Sequence, residues 1–231
     1  MGPVLIRTVA ETGSTNDDLA ALARDGAPEG TWLRAERQTG GKGRQGRAWL
    51  SPPGNLYIST LVRLRPTDPP APTLALLAAI ALHETVALHA PGVIIKWPND
   101  LIAGPAKLAG ILLERHKEAV VIGFGVNLAH APDLPDRPAI SLADLAGIPQ
   151  NPAAFAEILA ETHARWLSRW RAEGLAPIRK AWLAAAHPIG TAFSTSEGQG
   201  LFDGLDEAGA LRLRLADGTT RVIHAGDVFL I

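Results

Sequence analysis

The 231-residue sequence predicts an α+β fold, in which a sheet with packed helices is followed by a small β domain. Residues 107–115 and 120–128 are mainly apolar runs of strand length, and the polar residues between them predict a hairpin. After Gly190, short alternating stretches surround an Asp217-Gly218 pair, which is a second hairpin signal. We therefore expect one domain over residues 1–188 and a small β-barrel over residues 189–231, which is too short to be stable without packing on the first.

The composition excludes several classes of protein. Hydrophobic residues make up 47% of the chain and charged residues 19%, as expected for a globular protein with a sizeable core. The net charge of −1 gives no overall field that attracts nucleic acid or an anionic membrane. The absence of cysteine excludes disulfides, thiolate metal sites and cysteine nucleophiles. Neither a signal peptide nor a membrane-spanning run is visible, so we expect a soluble cytoplasmic protein.

Further elements follow in order along the chain. We predict strands over residues 4–9, 31–36, 56–64 and 93–97, a helix that ends near residue 24, and a buried helix over residues 73–89. A loop over residues 132–138 and a short helix capped by Ser141 come next, followed by helices over residues 152–171 and 176–186. The last predicted strands cover residues 211–215, 220–224 and 227–230. Ser14, Thr15 and Asn16 either cap the first helix or form a polar pocket wall.

Residues 38–55 form the segment with the clearest chemical character. Four glycines alternate there with Lys42, Arg44 and Arg47, and Trp49 and a Pro52-Pro53 pair follow. Glycines let a ligand approach backbone N–H groups closely, and three cations in six residues concentrate positive charge. The segment is therefore either a loop that binds an anion or a solvated surface loop, and an RNA-binding arm is a weaker alternative because few aromatic residues are interleaved.

Two common phosphate motifs do not fit this loop. The P-loop needs a serine or threonine after its lysine, but Gly43 follows Lys42. The dinucleotide pattern G-x-G-x-x-G matches formally, but it must open a helix, and the proline pair prevents one. Without a following helix, we expect the loop to be mobile when empty and to fold over its ligand.

Five motifs occur together in a fixed order. They are Gly13-Ser14-Thr15-Asn16, the segment from Gln38 to Trp49, Lys96-Trp97-Pro98-Asn99-Asp100, Lys107 to Leu112, and Gly123-x-Gly125-x-Asn127. Together they resemble the biotin protein ligases over residues 4–128, and the small β domain fits as well. The resemblance implies a mixed, mostly antiparallel sheet of the class II synthetase type, followed by an SH3-like barrel.

The resemblance also implies a reaction and its participants. Such enzymes join biotin to ATP with Mg²⁺, giving biotinyl-5′-AMP and pyrophosphate, and then biotinylate a lysine of a biotin carboxyl carrier protein. It implies catalytic roles for Lys107, Arg44 and Asp100, with Asp100 either a base or a Mg²⁺ ligand. It implies biotin contacts from Ser14, Thr15, Asn16, Gln38, Gly41, Lys42, Gly43, Arg44, Trp49, Lys107 and Gly110. It implies ATP contacts from Lys42, Arg44, Arg47, Trp49, Asn99, Lys107 and Asn127.

Taken one at a time, several of these residues also have simpler structural interpretations. Lys107 taken alone is a strand-end surface lysine, Trp49 is a core residue, and Asn99-Asp100 is a turn after a strand. Lys42 stands where arginine is usual in the family, and a lysine lacks the bidentate fork of arginine. We therefore expect Lys42 to contact phosphate more than a planar carboxylate.

Other activities and partners remain open at this point. A lipoate ligase of the same fold and a non-catalytic biotin-sensing module are the alternatives to a biotin ligase. The first family motif begins so early that we expect no DNA-binding repressor domain. Exposed strand edges would permit a homodimer, and the carrier is expected to belong to a biotin-dependent carboxylase.

Overall fold

The computed structural model describes residues 5–134 and 138–230. Its main sheet has seven strands in the order β1-β2-β3-β7-β6-β5-β4. The strands are β1 (Ile6–Thr12), β2 (Trp32–Gln38), β3 (Leu56–Arg63), β4 (Ile94–Lys96), β5 (Asp100–Ala103), β6 (Ala106–His116) and β7 (Ala119–Val126). Only β1 and β2 pair in parallel, and every other neighbouring pair is antiparallel. The predicted α+β fold with a mostly antiparallel sheet is thereby confirmed.

Strand β5 was missing from the sequence-based prediction. The chain leaves β4 at Lys96, turns through a cis Trp97–Pro98 peptide, and returns antiparallel to β4. Asp100 therefore opens a strand instead of ending a turn. The four residues of β5 were overlooked because such a short segment has no measurable alternation. Residues 4 and 135–137, which fall in a predicted strand and loop, lie outside the described residues.

Within the described residues, five α-helices accompany the sheet. They are α1 (Thr15–Arg24), α2 (Leu74–Ala87), α3 (Leu142–Ala146), α4 (Pro152–Glu173) and α5 (Leu175–Ala185). Helix α2 is buried along most of its surface, as its apolar sequence predicts. Ser141 forms a capping box with Asp144 at the start of α3. The side chain of Asn151 caps α4, whose first residue is Pro152.

The sheet separates two apolar clusters, and alternate side chains of β7 belong to one cluster or the other. Val120, Ile122 and Phe124 face the main core with α2 and α4, while Val121 faces a smaller cluster under α1. Successive side chains of a strand point to opposite faces, so Gly123 and Gly125 lie on the α1 face with Val121. The candidate site is built on this face.

The C-terminal part of the chain forms a second sheet. Its strands are β8 (Ala192–Thr195), β9 (Gly198–Leu205), β10 (Leu211–Arg214), β11 (Thr220–Ile223) and β12 (Val228–Leu230), in the order β11-β10-β9-β8-β12. The predicted C-terminal β domain is confirmed, while its closure into a barrel and the boundary at residue 188 stay predictions. Trp182 of α5 packs edge-on against Phe202, and Arg179 donates to Leu205 O at 2.6 Å, so the second sheet rests on the first domain.

Helices long and apolar enough to cross a membrane are absent from residues 5–134 and 138–230.

Candidate active site

One cavity of about 340 Å³ lies on the α1 face of the sheet. Its walls come from five parts of the chain: the start of α1, the loop after β2, the turn between β4 and β5, the β6–β7 hairpin, and residues Asp227 to Leu230 of the second sheet. The chain thus brings together residues that are more than 200 positions apart in sequence. A pocket of this kind, with apolar walls and a few converging polar groups, is typical of small-molecule sites.

Glycines on β6 and β7 make room for this cavity. Gly110 and Gly125 are paired across the two strands. The indole of Trp49 lies on both of them, because a Cβ added to Gly125 would be 2.5 Å from Trp49 Cε2 and one added to Gly110 would be 3.1 Å from Trp49 Cζ3. Any larger side chain at these positions would displace the indole. The paired glycines therefore hold Trp49 as one apolar wall of the cavity.

A hydrogen-bonded polar wall begins at the start of α1. Gln38 Oε1 accepts from Thr15 N at 2.8 Å and from Thr15 Oγ1 at 3.1 Å. Thr15 Oγ1 lies 2.7 Å from Ser59 Oγ, which donates to Asn16 Oδ1 at 2.6 Å. Asn16 Nδ2 in turn donates to Glu114 Oε2 at 2.7 Å. This network orients its side-chain amides, while the single hydroxyl proton of Thr15 is donated either to Gln38 or to Ser59.

Ser14 precedes this network and has a different role from the one its position suggests. It occupies the N-cap of α1, but its side chain makes no capping hydrogen bond. The residue is only 3% exposed and lines the cavity. Ser14 lines the cavity without capping the helix, so the pocket-wall interpretation fits it better than the capping one.

Lys107 lies on β6, and its Nζ lies over Gly110, two residues before Leu112, which pairs with Gly123 at the polar wall. Its Nζ donates to Asp100 Oδ1 at 2.6 Å and lies 5.4 Å from the centre of the Trp49 ring. Both side chains of the ion pair are mostly buried, with 17% of Lys107 and 20% of Asp100 exposed. A cation in such a partly desolvated place interacts strongly with an incoming anion.

The loop between β2 and β3 covers the cavity with its three cations. Lys42 Nζ pairs with Asp17 on α1 at 2.6 Å, and this hydrogen bond raises the pKa of Lys42. Gly43 N donates to Arg47 O at 2.7 Å, which closes a tight turn whose Gln45 has φ of 57°. A non-glycine residue in this left-handed region is uncommon and costs conformational energy. The loop is thus folded over the cavity and held there by contacts of its own.

Arg44 points from this loop to the far side of the cavity. Its NH1 donates to Asn99 Oδ1 at 3.2 Å and to Asp227 Oδ1 at 3.2 Å, and its NH2 donates to Gly226 O at 3.1 Å. Arg47 NH2 donates to the other carboxylate oxygen of Asp227 at 2.9 Å. One carboxylate of the second sheet therefore contacts both arginines of the loop.

Most residues predicted for the site line this cavity. They are Ser14, Thr15, Asn16, Gln38, Lys42, Gly43, Arg44, Arg47, Trp49, Asn99, Asp100, Lys107 and Gly110. Gly41 is absent from the lining; a Cβ there would be 2.5 Å from Trp49 O, so its role is to let the loop fold back on itself. Asn127 lines a separate space of about 30 Å³ behind Trp49, and its amide donates to Ile140 O at 3.2 Å.

Sequence reasoning missed other residues of the site. Asp227 and Phe229 line the cavity from the second sheet, and Glu114 orients Asn16. No local motif marks these residues, since each reaches the site only through tertiary packing. In the part of the chain that the structure describes, no group of three or more histidine, aspartate or glutamate residues is arranged to hold a metal ion.

Comparisons with known proteins agree with this geometry. Residues 11–127 match the family described as Biotin/lipoate A/B protein ligase, and residues 196–231 match the Biotin protein ligase C terminal domain. The chain is similar to a biotin–[acetyl-CoA-carboxylase] ligase of Paracoccus denitrificans, with 40% identity over 96% of this chain and 98% of the relative.

Two solved structures are also similar. A biotin protein ligase from Aquifex aeolicus in complex with biotin and ATP superimposes with a TM-score of 0.86 and 24% identity, covering 98% of each chain. A biotin protein ligase from Leishmania major in complex with biotinyl-5-AMP gives a TM-score of 0.71 and 27% identity, covering 97% of this chain and all of the other. The first similarity concerns the fold alone.

Proposed function

The chain belongs to the biotin/lipoate A/B protein ligase family, and we propose that it acts as a biotin–[acetyl-CoA-carboxylase] ligase. In this reaction biotin and ATP give biotinyl-5′-adenylate and pyrophosphate, and the biotinyl group then passes to a lysine of a biotin carboxyl carrier protein. One observation carries the proposal: a hydrogen-bonding wall and a cluster of cations face the same apolar cavity.

The spacing of these two features suits biotin. The polar wall meets the sheet at Gly123, where a Cβ would be 2.2 Å from Asn16 Oδ1. Lys107 Nζ lies over Gly110, which is paired with Gly125. The polar wall and Lys107 Nζ are therefore separated by two residues along the strand, which corresponds to about 7 Å. The apolar wall of Trp49 lies at the cationic end. Biotin likewise has a polar ureido ring at one end and a carboxylate at the other, joined by an apolar chain.

Thr15, Asn16 and Gln38 are assigned to the ureido ring. A urea carries one carbonyl acceptor and two N–H donors, and it needs several fixed partners when it leaves water. The network from Gln38 through Ser59 to Glu114 holds these side chains in place before any ligand arrives. Ser14 adds a hydroxyl at the same wall. Pre-organised partners avoid the entropy that mobile side chains would lose on binding.

Lys107 and Arg44 are assigned to the first chemical step. A carboxylate oxygen of biotin attacks the α-phosphorus of ATP, the bond from this phosphorus to the bridging oxygen breaks, and pyrophosphate leaves with the electron pair. Both reactants are anions, so positive groups must bring them together and stabilise the charge that develops. Electrostatic stabilisation by pre-organised groups is usually the largest catalytic contribution. Lys107, fixed by Asp100 at 2.6 Å, supplies it from the sheet, and Arg44 supplies it from the loop.

The nucleotide side of the site is assigned to the loop and to Trp49. Lys42 and Arg47 lie in the glycine-rich segment that covers the cavity, where their charges suit phosphate oxygens. Asn99 orients Arg44, and its own amide donates to Ile111 O. The narrow space between Trp49 and Asn127 is assigned to the adenine ring, which would widen it by moving the indole.

Magnesium fits this site only together with the nucleotide. Asp100 and Asp227 are the carboxylates among the described lining residues, and each already pairs with a cation. Mg²⁺ commonly keeps several waters and is bound through substrate phosphates with one or two carboxylates. We therefore assign the ion to MgATP, where it would neutralise the charge of the phosphates, and Asp100 is the lining carboxylate that would help to hold it.

Asp100 is also assigned to the second step. The neutral ε-amine of the carrier lysine attacks the carboxyl carbon of the adenylate, the bond to the phosphate oxygen breaks, and AMP leaves. The new amide nitrogen must then lose a proton. Asp100 lies beside Lys107 at this end of the cavity, so its carboxylate is placed to accept it.

Three further assignments rest on the resemblance. We place the enzyme in the cytoplasm, assign it no DNA-binding repressor activity, and assign it a homodimer formed through the β1 edge of the main sheet, since Ala186 bridges to Ile95 at the β4 edge. The net charge of −1 favours no nucleic-acid contact. A gel-shift experiment with biotin operator DNA at low salt should show no complex, and analytical ultracentrifugation should show a dimer.

The experiment that tests the proposed function measures pyrophosphate release. The purified protein is incubated with MgATP and with biotin, with lipoate, or without an acid. We expect release with biotin alone, and then covalent biotin on an added carrier domain. Release with lipoate but not biotin would show a lipoate ligase. Saturable biotin binding without pyrophosphate release would show a non-catalytic sensing module.

A further inference from the structure

The loop that carries the cations is fastened to the second sheet by one carboxylate. Asp227 Oδ1 accepts from Arg44 NH1 at 3.2 Å, and Asp227 Oδ2 accepts from Arg47 NH2 at 2.9 Å. Gly226 O, the carbonyl before it, accepts from Arg44 NH2 at 3.1 Å. These contacts join positions about 180 residues apart in the chain. Fastening a glycine-rich loop offsets the conformational freedom that its glycines would otherwise keep.

Asp227 is attached to a rigid part of the second sheet. Asp227 directly precedes β12, which pairs with β8 through residues 228–230. The side chain that follows it, Val228, is 1% exposed and belongs to the main core. A carboxylate next to such an anchor is held within a narrow range of positions. The second sheet thereby sets the position of two arginines that belong to the first domain.

The geometry leaves Arg44 able to bind an anion. A guanidinium has five N–H donors, and the described contacts of Arg44 engage three of them, all with acceptors from Asn99, Gly226 and Asp227. The remaining donors are available on another edge of the guanidinium group. One carboxylate also neutralises only one of the two arginine charges, so the pair keeps a net positive charge. Asp227 therefore orients the arginines without cancelling their attraction for phosphate or carboxylate.

We propose that Asp227 is a positioning residue, through which the C-terminal β domain holds Arg44 and Arg47 over the reacting anions. This inference rests on the proposed ligase function for its kinetic consequences. Misplacement of a catalytic group by about 1 Å from a remote change can reduce the rate roughly 100-fold. Loss of the Asp227 charge should therefore impair adenylation although Asp227 itself contacts no reacting atom.

The test compares Asp227→Asn with a matched control, Asp203→Asn. Asp203 also pairs with an arginine, Arg212 at 2.7 Å, and its side chain is 25% exposed against 30% for Asp227. Its partner lies within the second sheet, so the control removes a similar ion pair without touching the loop. Asp227→Asn should lower kcat/KM for MgATP by about tenfold or more, with a lower kcat because Arg44 is misplaced in the transition state, while Asp203→Asn stays within about twofold of the wild type.

A second readout does not depend on activity. Limited trypsin digestion cleaves after arginine, so release of the loop should speed cleavage after Arg44 or Arg47 by about tenfold in Asp227→Asn and not in Asp203→Asn. Asp227→Glu keeps the carboxylate and should restore at least about half of the lost kcat/KM, which a purely structural loss would not allow.

Several results would overturn the proposal. They are a wild-type cleavage rate and a wild-type kcat/KM in Asp227→Asn, a faster reaction than the wild type, or no rescue by Asp227→Glu. If Asp227→Asn unfolds, Asp227→Glu is compared with the wild type instead, and a folded Asp227→Glu variant that has lost about tenfold in kcat/KM contradicts positioning by the carboxylate. An inactive wild-type protein would instead refute the ligase function, and the digestion result would still report on the loop contact.

Discussion

Asn16 and Gly123 meet so closely that a Cβ on residue 123 would lie 2.2 Å from Asn16 Oδ1. Gly123 therefore leaves the space that Asn16 needs, on a strand whose other residues, apart from Gly125, carry apolar side chains. Asn16 joins Ser59 and Glu114 in the polar wall of the cavity. One backbone position on β7 thus decides whether the wall assigned to the ureido ring can form.

Gly123→Ala should weaken biotin binding. The added methyl group would push Asn16 away and break its hydrogen bonds to Ser59 and Glu114, so we expect KM for biotin to rise about tenfold or more, with a much smaller change in KM for ATP. Gly13→Ala is the control, because a Cβ there meets no atom within 4 Å. Equal effects on the two substrates would contradict the assignment of this wall to biotin.

Trp49→Ala should cause the enzyme to lose its biotinyl-adenylate intermediate to water. The indole covers Gly110 and Gly125, and its removal opens the cavity to water. We expect AMP formation without carrier protein to increase about tenfold, because a closed site protects a reactive acyl-adenylate from hydrolysis. The neighbouring Leu50 is 56% exposed, so Leu50→Ala should leave this rate unchanged. An unchanged rate in Trp49→Ala would show that another group seals the site.

His163 should make the fold less stable in mild acid. Its ring contacts Trp32 and Phe124 in the core, and burial lowers its pKa to about 4 from an ordinary value of 6.5. Below the ordinary value the unfolded chain takes up a proton that the folded chain does not. This contribution to stability is therefore complete above that value and is lost as the pH falls towards 4, by up to about 1.4 kcal/mol per pH unit.

The corresponding measurement is urea unfolding at about pH 7 and about pH 5. His163→Phe should reduce the difference in unfolding free energy between the two conditions, since phenylalanine does not titrate. His116 is exposed at the end of β6, and His116→Phe should keep the wild-type difference. If both variants behaved as the wild type, other groups would determine the acid sensitivity.

Much of the fold could be predicted from local patterns. The buried helix α2, the β6–β7 hairpin and the Ser141 cap follow from apolar content, polar turns and capping chemistry, which depend on neighbouring residues. Strand β5 could not be predicted in this way, because its four residues become a strand only by pairing with β4 and β6. Long-range pairing of this kind leaves no periodic signal in so short a segment.

The same distinction between local motifs and tertiary contacts applies to the residues of the site. The glycine-rich loop, Lys107 and the Asn99-Asp100 pair have motifs that mark them, and the structure places them around one cavity. Asp227 has no such motif, since an aspartate before a short strand is ordinary in sequence. Its importance comes only from the tertiary contact with Arg44 and Arg47. Residues that position others are therefore the part of a site that a single sequence hides most readily.

The central claim is tested most directly by biotin transfer with Lys107→Ala. Lys107 Nζ is held by Asp100 at the cationic end of the cavity, so its loss should remove adenylation while the fold remains intact. Lys180→Ala, an exposed change on α5, is the control. Covalent biotin on a carrier domain is measured by mass spectrometry. The account predicts transfer by the wild type and by Lys180→Ala, and a loss of about 100-fold or more in Lys107→Ala with unchanged thermal unfolding. Near-normal transfer by Lys107→Ala would contradict it.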